Sequence, residues 1–253
     1  VGDDGSSSSF VERIAKLMQR VEYRRADTRE DKQAIYRMRY EAYAREGFID
    51  PHPSGMFSDP GDETENAWLI AVFIEGAMAS SIRLHVASRP EHWLPVSESF
   101  ADVIAPRLEA GELIIDATRH CSRLEFTRTY PFLPHITMRC GFLAEDYFGA
   151  DFMTGTCRAE YQAAFRRMYG SAIWSAPRAY PPLNRPHALM GYDCKAKRQA
   201  TRERYPFLIS TAEERRKLFG RSSNVAYDLY AELTSGPRAR RCEDRQNSTT
   251  CAA

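Results

Sequence analysis

The sequence predicts a mixed α/β domain with a mostly antiparallel central sheet, helices flanking it and a bulge in a central strand. Three observations lead there. Strand-like and helix-like stretches alternate, except for one hairpin and a closing pair of strands. Only one helical stretch, 132–150, joins two strands in the manner of a parallel crossover. The strand-like segment LIIDATRHCSRLEF (113–126) begins apolar, then carries Asp116 and Arg119 three residues apart. No glycine-rich dinucleotide loop follows any strand, which excludes a Rossmann arrangement at its diagnostic turn.

FVERIAKLMQRV (10–21) aligns Phe10, Ile14, Leu17 and Val21 on one helical face. VEYRRAD reads as the first strand. Thr28 caps a helix to about Arg45, with Asp31 as the acid of a capping box. The segment 46–66 is rich in Gly, Pro and Asp and reads as a long functional loop. AWLIAVFIEGAMASSIRLHVAS (67–88) is a hairpin turning at Glu75-Gly76. Residues 97–112 form a short helix closed by Gly111, and the strand with Asp116 follows. Then come the crossover helix (132–150), a strand (151–157), a helix stopped by Gly170, and strands at 171–176 and 187–194. Two short helices follow residue 195, the second with a capping box from Ser210 and Glu213, and from Gly236 the chain reads as disordered.

Composition narrows the function. The 253 residues carry a formal net charge of +1, so no overall field draws the chain to nucleic acid or an anionic membrane. KAKRQATRER (195–204) and RARR (238–241) are basic but lack an aromatic stacking set. No apolar run approaches the roughly 20 residues of a membrane span. VGDDGSSSSF is read as a disordered end, not a signal peptide. The six cysteines form no CxxC pair and are read as reduced thiols of a cytoplasmic protein, without a metal site.

Four polar features remain. Arg39 and Tyr43 stand i,i+4 on one helix face, which a solvated face would also explain. Asp59 and Asp62 in DPGD fit ordinary turn chemistry. Arg83 alternates with Ile82 and Leu84, so it either faces water or serves a site. Asp116 shares a face with Thr118 and His120, a pattern a polar outer face would give. Arg119 is the exception: strict alternation puts it with Leu113, Ile115 and Ala117, where a charge needs a partner or the strand must be irregular. A β-bulge resolves this, because one extra residue re-aims the side chains beyond it and frees backbone N–H groups. The bulge is therefore expected to be the active centre.

These features resemble the acyl-homoserine-lactone synthases and the long-chain N-acyl amino acid synthases of the GNAT acyltransferase fold. In those families an Arg and an aromatic four residues later stand on the first helix, as do Arg39 and Tyr43. An Asp-x-x-Asp follows in the loop, as do Asp59 and Asp62. An Arg stands on the second hairpin strand, as Arg83 does in SIRL, and an acid and Arg stand three apart on the fourth strand, as in DATR (116–119). The resemblance spans roughly residues 22–195. The text YRMRYEAYAREGFID is closer to the amino acid synthases, and the tryptophan of the lactone synthases has no counterpart near Ile49. The strand acid is Asp rather than Glu, shorter by one C–C bond, about 1.5 Å.

The resemblance implies an N-acyltransferase domain over 22–195, flanked by an N-terminal tail and helix (1–21), a helical extension (196–235) and a disordered tail (236–253). It implies transfer of a long-chain acyl group from an acyl carrier protein thioester to an amino acid or similar small amine, with no tightly bound cofactor. Asp116 would act as base or orient Arg119. Arg39, Tyr43, Asp59, Asp62 and Arg83 would serve the acceptor side, Arg39 or Arg83 gripping a carboxylate, with Asp59 and Asp62 either taking part or holding the loop by pairing with these arginines. His120, Cys121, Ser122 and Arg123 would contact the acyl donor. RHCSRL (119–124) lacks the glycine of the GNAT pyrophosphate loop, which favours the carrier protein over acyl-coenzyme A. Arg123, Arg128, Arg166 and Arg167 are candidates for docking that acidic partner, and the 132–150 helix is a candidate tunnel wall. The rival readings are a lactone synthase using S-adenosylmethionine and a non-catalytic GNAT-like module that binds an acyl carrier or another protein.

Overall fold

The computed structural model describes residues 9–220; the expected tail from Gly236, RARR, Cys242 and Cys251 lie outside the described residues. Helix α1 (Phe10–Met18) starts at a capping box between Ser9 and Glu12 and buries Ile14 and Leu17. Each of these contributes about 2 kcal/mol by leaving water. Val21, expected on that helix face, opens strand β1 (Val21–Arg25) instead. Helix α2 (Arg29–Arg45) begins as expected: the Thr28 hydroxyl accepts the Asp31 amide and Asp31 accepts the Thr28 amide. Strands β2 (Ala67–Ile74) and β3 (Ala77–Ala87) turn at Glu75 and Gly76, both with positive φ, the two-residue turn whose twist matches a hairpin.

Helix α3 (Ser97–Glu109) leads to β4 (Ile114–Ser122), then to a short helix α4 (Leu124–Thr129) that the sequence reading took for strand. Helix α5 (Leu133–Phe148) crosses to β5 (Phe152–Cys157), and β4 and β5 pair in parallel. Helix α6 (Ala159–Tyr169) stops at Gly170, whose φ of +69° is left-handed. Strands β6 (Ala172–Tyr180) and β7 (Leu183–Asp193) run well past the expected limits, meeting around Pro181-Pro182. Helices α7 (Cys194–Arg204) and α8 (Ala212–Phe219) close the described chain. The cap of α8 is Thr211 with Glu214, one residue beyond the expected Ser210 and Glu213; the Ser210 hydroxyl instead accepts from Arg215.

The sheet order is β1-β2-β3-β4-β5-β7-β6, antiparallel except at β4–β5. One face carries the larger core, where Ile70, Leu84, Ile115 and Met153 meet α5. Leu133, Ile136, Cys140 and Leu143 of α5 are spent on this core, so the apolar helix packs the fold rather than walling a tunnel. Ile14, Leu17, Leu218 and Phe219 join the same cluster, so both chain extensions complete one core. Buried Arg139 on α5 ties the C-terminal segment down: its guanidinium donates to the carbonyls of Phe207 (2.7 Å) and Ile209 (2.9 Å) and to Glu214 (2.9 Å). Arg139→Met should cost about 3 kcal/mol by leaving these acceptors unanswered, read as a lowered midpoint in urea unfolding.

Candidate active site

The candidate residues Arg83, Asp116 and Arg119 lie on the face of the sheet opposite α5. The register between β3 and β4 pairs Ser81 with Cys121 but Arg83 with Thr118. Two steps on β3 thus match three on β4, and Arg119 has a φ of +53°. This is the expected bulge. It turns Arg119 away from the apolar face of Leu113 and Ile115 onto the face of Asp116 and Thr118. Asp116 is fully buried, so the alternative of a polar outer face does not hold for it.

The sequence DPGD builds the partner of this strand. Pro60–Glu63 form one turn of 3₁₀ helix, and the Asp59 and Asp62 side chains cap it reciprocally. Both carboxylates then reach the sheet. Arg39 donates to Asp62 at 2.9 and 3.1 Å. Arg83 donates to Asp59 at 2.6 Å and to Asp62 at 2.9 Å. Arg119 donates twice to Asp59, at 2.6 and 2.9 Å. Three guanidiniums and two carboxylates are thus held together, all but Asp59 buried. Burial alone would raise the Asp59 pKa, but Arg119 and Arg83 outweigh it and hold the carboxyl well below the usual range.

Asp116 stands apart from these pairs. One of its oxygens accepts the Val96 amide at 3.2 Å and the other the Thr154 hydroxyl at 3.1 Å. Burial pushes its pKa up to about 7, against the pull of these two donors and of Arg83 and Arg119. A carboxyl in this range takes and returns a proton near neutrality. The β4–β5 pairing covers only Ile114–Ala117 against Phe152–Gly155, although β4 continues to Ser122 and β5 to Cys157. The two parallel strands therefore splay immediately beside Asp116.

Tyr43 is buried against Phe48 and Phe57. Cys121 is turned inward toward Met38, Ala42 and Tyr43, with its thiol 3.3 Å from the Ser81 hydroxyl, so only its backbone is open to a donor. His120 is half-buried and its Nε2 has no hydrogen-bond partner among the described residues. Ser122 pairs with Ser80, and Arg123, Arg128, Arg166 and Arg167 are exposed. Arg39 and Arg83, expected either to grip an acceptor carboxylate or to pair with the loop aspartates, are committed to Asp59 and Asp62, though Arg83 keeps a buried Nη2 without a partner among the described residues. A cleft of about 840 Å³ opens between α2 and loop 46–58, lined by Tyr36, Tyr40, Ile49, His52 and Phe57. Two of its lining rings touch the arginines: Phe57 lies 5.3 Å from the Arg119 guanidinium and Tyr36 5.4 Å from that of Arg39. His85, Trp93, Val96, Thr154 and Tyr180 were not singled out from sequence. No group of acidic, His or Cys side chains among the described residues could hold a metal ion, and no described helix is long and apolar enough to cross a membrane.

Comparison with known proteins decides the family. A profile of the N-acyl amino acid synthase FeeM matches residues 34–193. The chain belongs to the FeeM N-acyl amino acid synthase family. The match covers every site residue named above, so this FeeM-family chain is an acyltransferase of GNAT-like fold. The structure of FeeM, an N-acyl amino acid synthase from uncultured soil microbes, superposes with a TM-score of 0.60 at 15% identity, covering 72% of this chain and 95% of that one. The acyl-homoserine-lactone synthase LasI superposes at 0.54 with 10% identity, over 72% and 92% of the two chains. TofI, solved with an inhibitor and MTA, does so at 0.54 with 15% identity, over 75% and 100%. No curated protein matches.

Asp62 is the hinge of this charge cluster, since its loss strands buried Arg39 and takes one of the two carboxylates that hold buried Arg83. Asp62→Ala should cost about 3–5 kcal/mol, measurable as a fall in thermal midpoint, and should abolish turnover with it.

Proposed function

We propose that the chain moves a long-chain acyl group from an acyl carrier protein thioester to the amino group of an amino acid. The observation that carries this reading is Asp116: a buried carboxyl with a pKa near 7, facing a splay between two parallel strands. The acceptor nitrogen attacks the thioester carbonyl carbon while its proton passes to Asp116, through a water or the Thr154 hydroxyl that already bonds it. Negative charge gathers on the carbonyl oxygen, where backbone N–H groups released at the bulge would receive it. The C–S bond then breaks, the amide remains, and the departing thiolate takes a proton to become the thiol. Arg83, with one nitrogen unpartnered among the described residues, supports recognition of an acceptor carboxylate.

Two features favour the carrier protein as donor. Beyond the bulge, β4 runs into a six-residue helix without a side-chain cap, so there is no glycine turn to cradle the pyrophosphate of coenzyme A. The unpaired facing edges of β4 and β5 offer an extended phosphopantetheine arm strand-like hydrogen bonds. BjaI, described as a coenzyme A-dependent lactone synthase, superposes at a TM-score of 0.51 and 16% identity, so both donors belong in the test. The four described cysteines are free and buried, which supports a cytoplasmic setting.

The enzyme incubated with palmitoyl-carrier protein and a mixture of the protein amino acids should release carrier thiol and yield an N-palmitoyl amino acid by mass spectrometry. Palmitoyl-coenzyme A should react more slowly. An absence of thiol release from either donor would refute the reading, and lactone formed only with S-adenosylmethionine would move it to the lactone synthases.

Asp116→Asn should remove turnover while leaving the protein folded. In the native enzyme kcat/KM should rise about tenfold per pH unit below the Asp116 pKa and level off above it.

The same carboxyl tilts stability the other way. Its pKa is raised in the folded state from an ordinary 3.8 to about 7, so the folded protein binds more protons between these values. Its contribution is fully present below 3.8 and lost as pH rises through 7. The Asn variant should lack that slope in urea unfolding measured across pH 4 to 7.5.

A further inference from the structure

Between the strand that carries Arg83 and the turn that carries Asp59 and Asp62 stands His85, fully buried, with no role assigned so far. Its register partner across the ladder is Asp116. Its Nε2 lies 2.9 Å from the Gly61 carbonyl and 3.1 Å from the Thr64 hydroxyl oxygen. A carbonyl oxygen only accepts, so Nε2 must carry the proton; a bare nitrogen there would set two lone pairs against each other. Nδ1 is then a bare acceptor in the interior, without a hydrogen-bond partner among the described residues. The imidazole also meets the Trp93 ring edge-on at 5.3 Å, and Trp93 covers Gly61 so closely that a Cβ there would sit 2.6 Å from the indole. Gly61 in turn donates its amide to Asp59.

These contacts form one chain from His85 to the reacting strand. His85 holds the Gly61 carbonyl, Gly61 and Trp93 fix the 3₁₀ turn, and the turn sets the height of Asp59 and Asp62. Those carboxylates fix Arg83 and Arg119, and Arg119 is the bulge residue. We infer that His85, as its Nε2–H tautomer, is a positioning residue that seats the Asp59/Asp62 turn and thereby sets the bulge geometry needed for turnover. It touches no substrate. Geometry of this kind acts on the rate of the chemical step more than on donor binding, because a shift near 1 Å at the reacting centre is felt in kcat.

The assignment rests on the proposed role of the bulge and Asp116, and its test separates the two. A glutamine at position 85 can place an amide N–H near the position of Nε2, whereas a leucine of similar size cannot. His85→Leu should lower kcat with palmitoyl-carrier protein about 30-fold or more, with the KM for that donor changed less than about twofold. His85→Gln should restore kcat to within about threefold of the parent, with thermal midpoints of the two variants close together. Full activity of His85→Leu, or equal loss in both variants, would overturn the inference. So would a loss in His85→Leu that disappears once rates are corrected for the folded fraction. Asp116→Asn serves as the control: if it keeps full activity the proposed base is wrong, while the Leu–Gln contrast still decides the role of His85.

Discussion

A single inserted residue governs the functional face of this sheet. Arg119 adopts a left-handed backbone, which for a residue with a Cβ costs roughly 1–2 kcal/mol. Its charge-assisted double contact with Asp59 and its position over the Phe57 ring offset that cost. Without the insertion, Arg119 would project among Leu113, Ile115 and the α5 core, where no described carboxylate waits. The bulge and the ion pair therefore require each other: the backbone deviation delivers the guanidinium to Asp59, and Asp59 makes the deviation worth keeping.

The same pairing decides what Asp116 can do. An arginine in direct contact with a carboxylate lowers its pKa by one to three units and makes it a poor base at neutrality. Here Arg83 and Arg119 sit close enough to pull on Asp116, yet their hydrogen bonds go to Asp59, Asp62 and Thr118. The turn carboxylates absorb the arginines, and burial is left as the dominant influence on Asp116. In this reading Asp59 and Asp62 have a specific purpose beyond holding a loop. They keep two cations near the reacting centre without letting those cations neutralise the group that must accept the proton.

Much of this was legible in the sequence because it is local or obeys a strict period. The conflict between Arg119 and its apolar neighbours exposed the bulge, and the Thr28 and Asp31 spacing marked the start of α2. The self-capping DPGD turn read correctly as turn chemistry, and pairing of its aspartates with Arg39 and Arg83 was expected from the resemblance, whereas the pairing of Asp59 with Arg119 did not follow from spacing. His85 was invisible because its polar contact is the carbonyl of Gly61, which sequence spacing does not reveal. The amide of Val96 at Asp116 hid for the same reason. Boundaries failed where two signals competed. The expected strands stop at 176 and begin again at 187, yet Tyr180 still pairs with Leu183, so β6 and β7 continue through the prolines between them. At α8, Ser210–Glu213 and Thr211–Glu214 share the capping spacing, and local pattern could not choose between them.

The notch beside Asp116 follows from topology together with the bulge. Strand β4 is bound to β3 along nearly its whole length, while its parallel partner β5 is committed to β7 from Phe152 to Cys157. Once β4 bends at the bulge, β5 cannot follow without breaking its antiparallel ladder. The pair separates after Ala117 and Gly155, and Gly155 marks the last close approach: a Cβ there would lie 3.2 Å from the Ala117 carbonyl. Strand edges inside a sheet rarely stay unanswered, because their N–H and C=O groups need partners. An extended thioester arm carrying amide groups satisfies that need, and lying between the strands it would bring its carbonyl carbon to the bulge and to Asp116. On the proposed mechanism, the constraint that opens the sheet is also the one that would set where acyl transfer takes place.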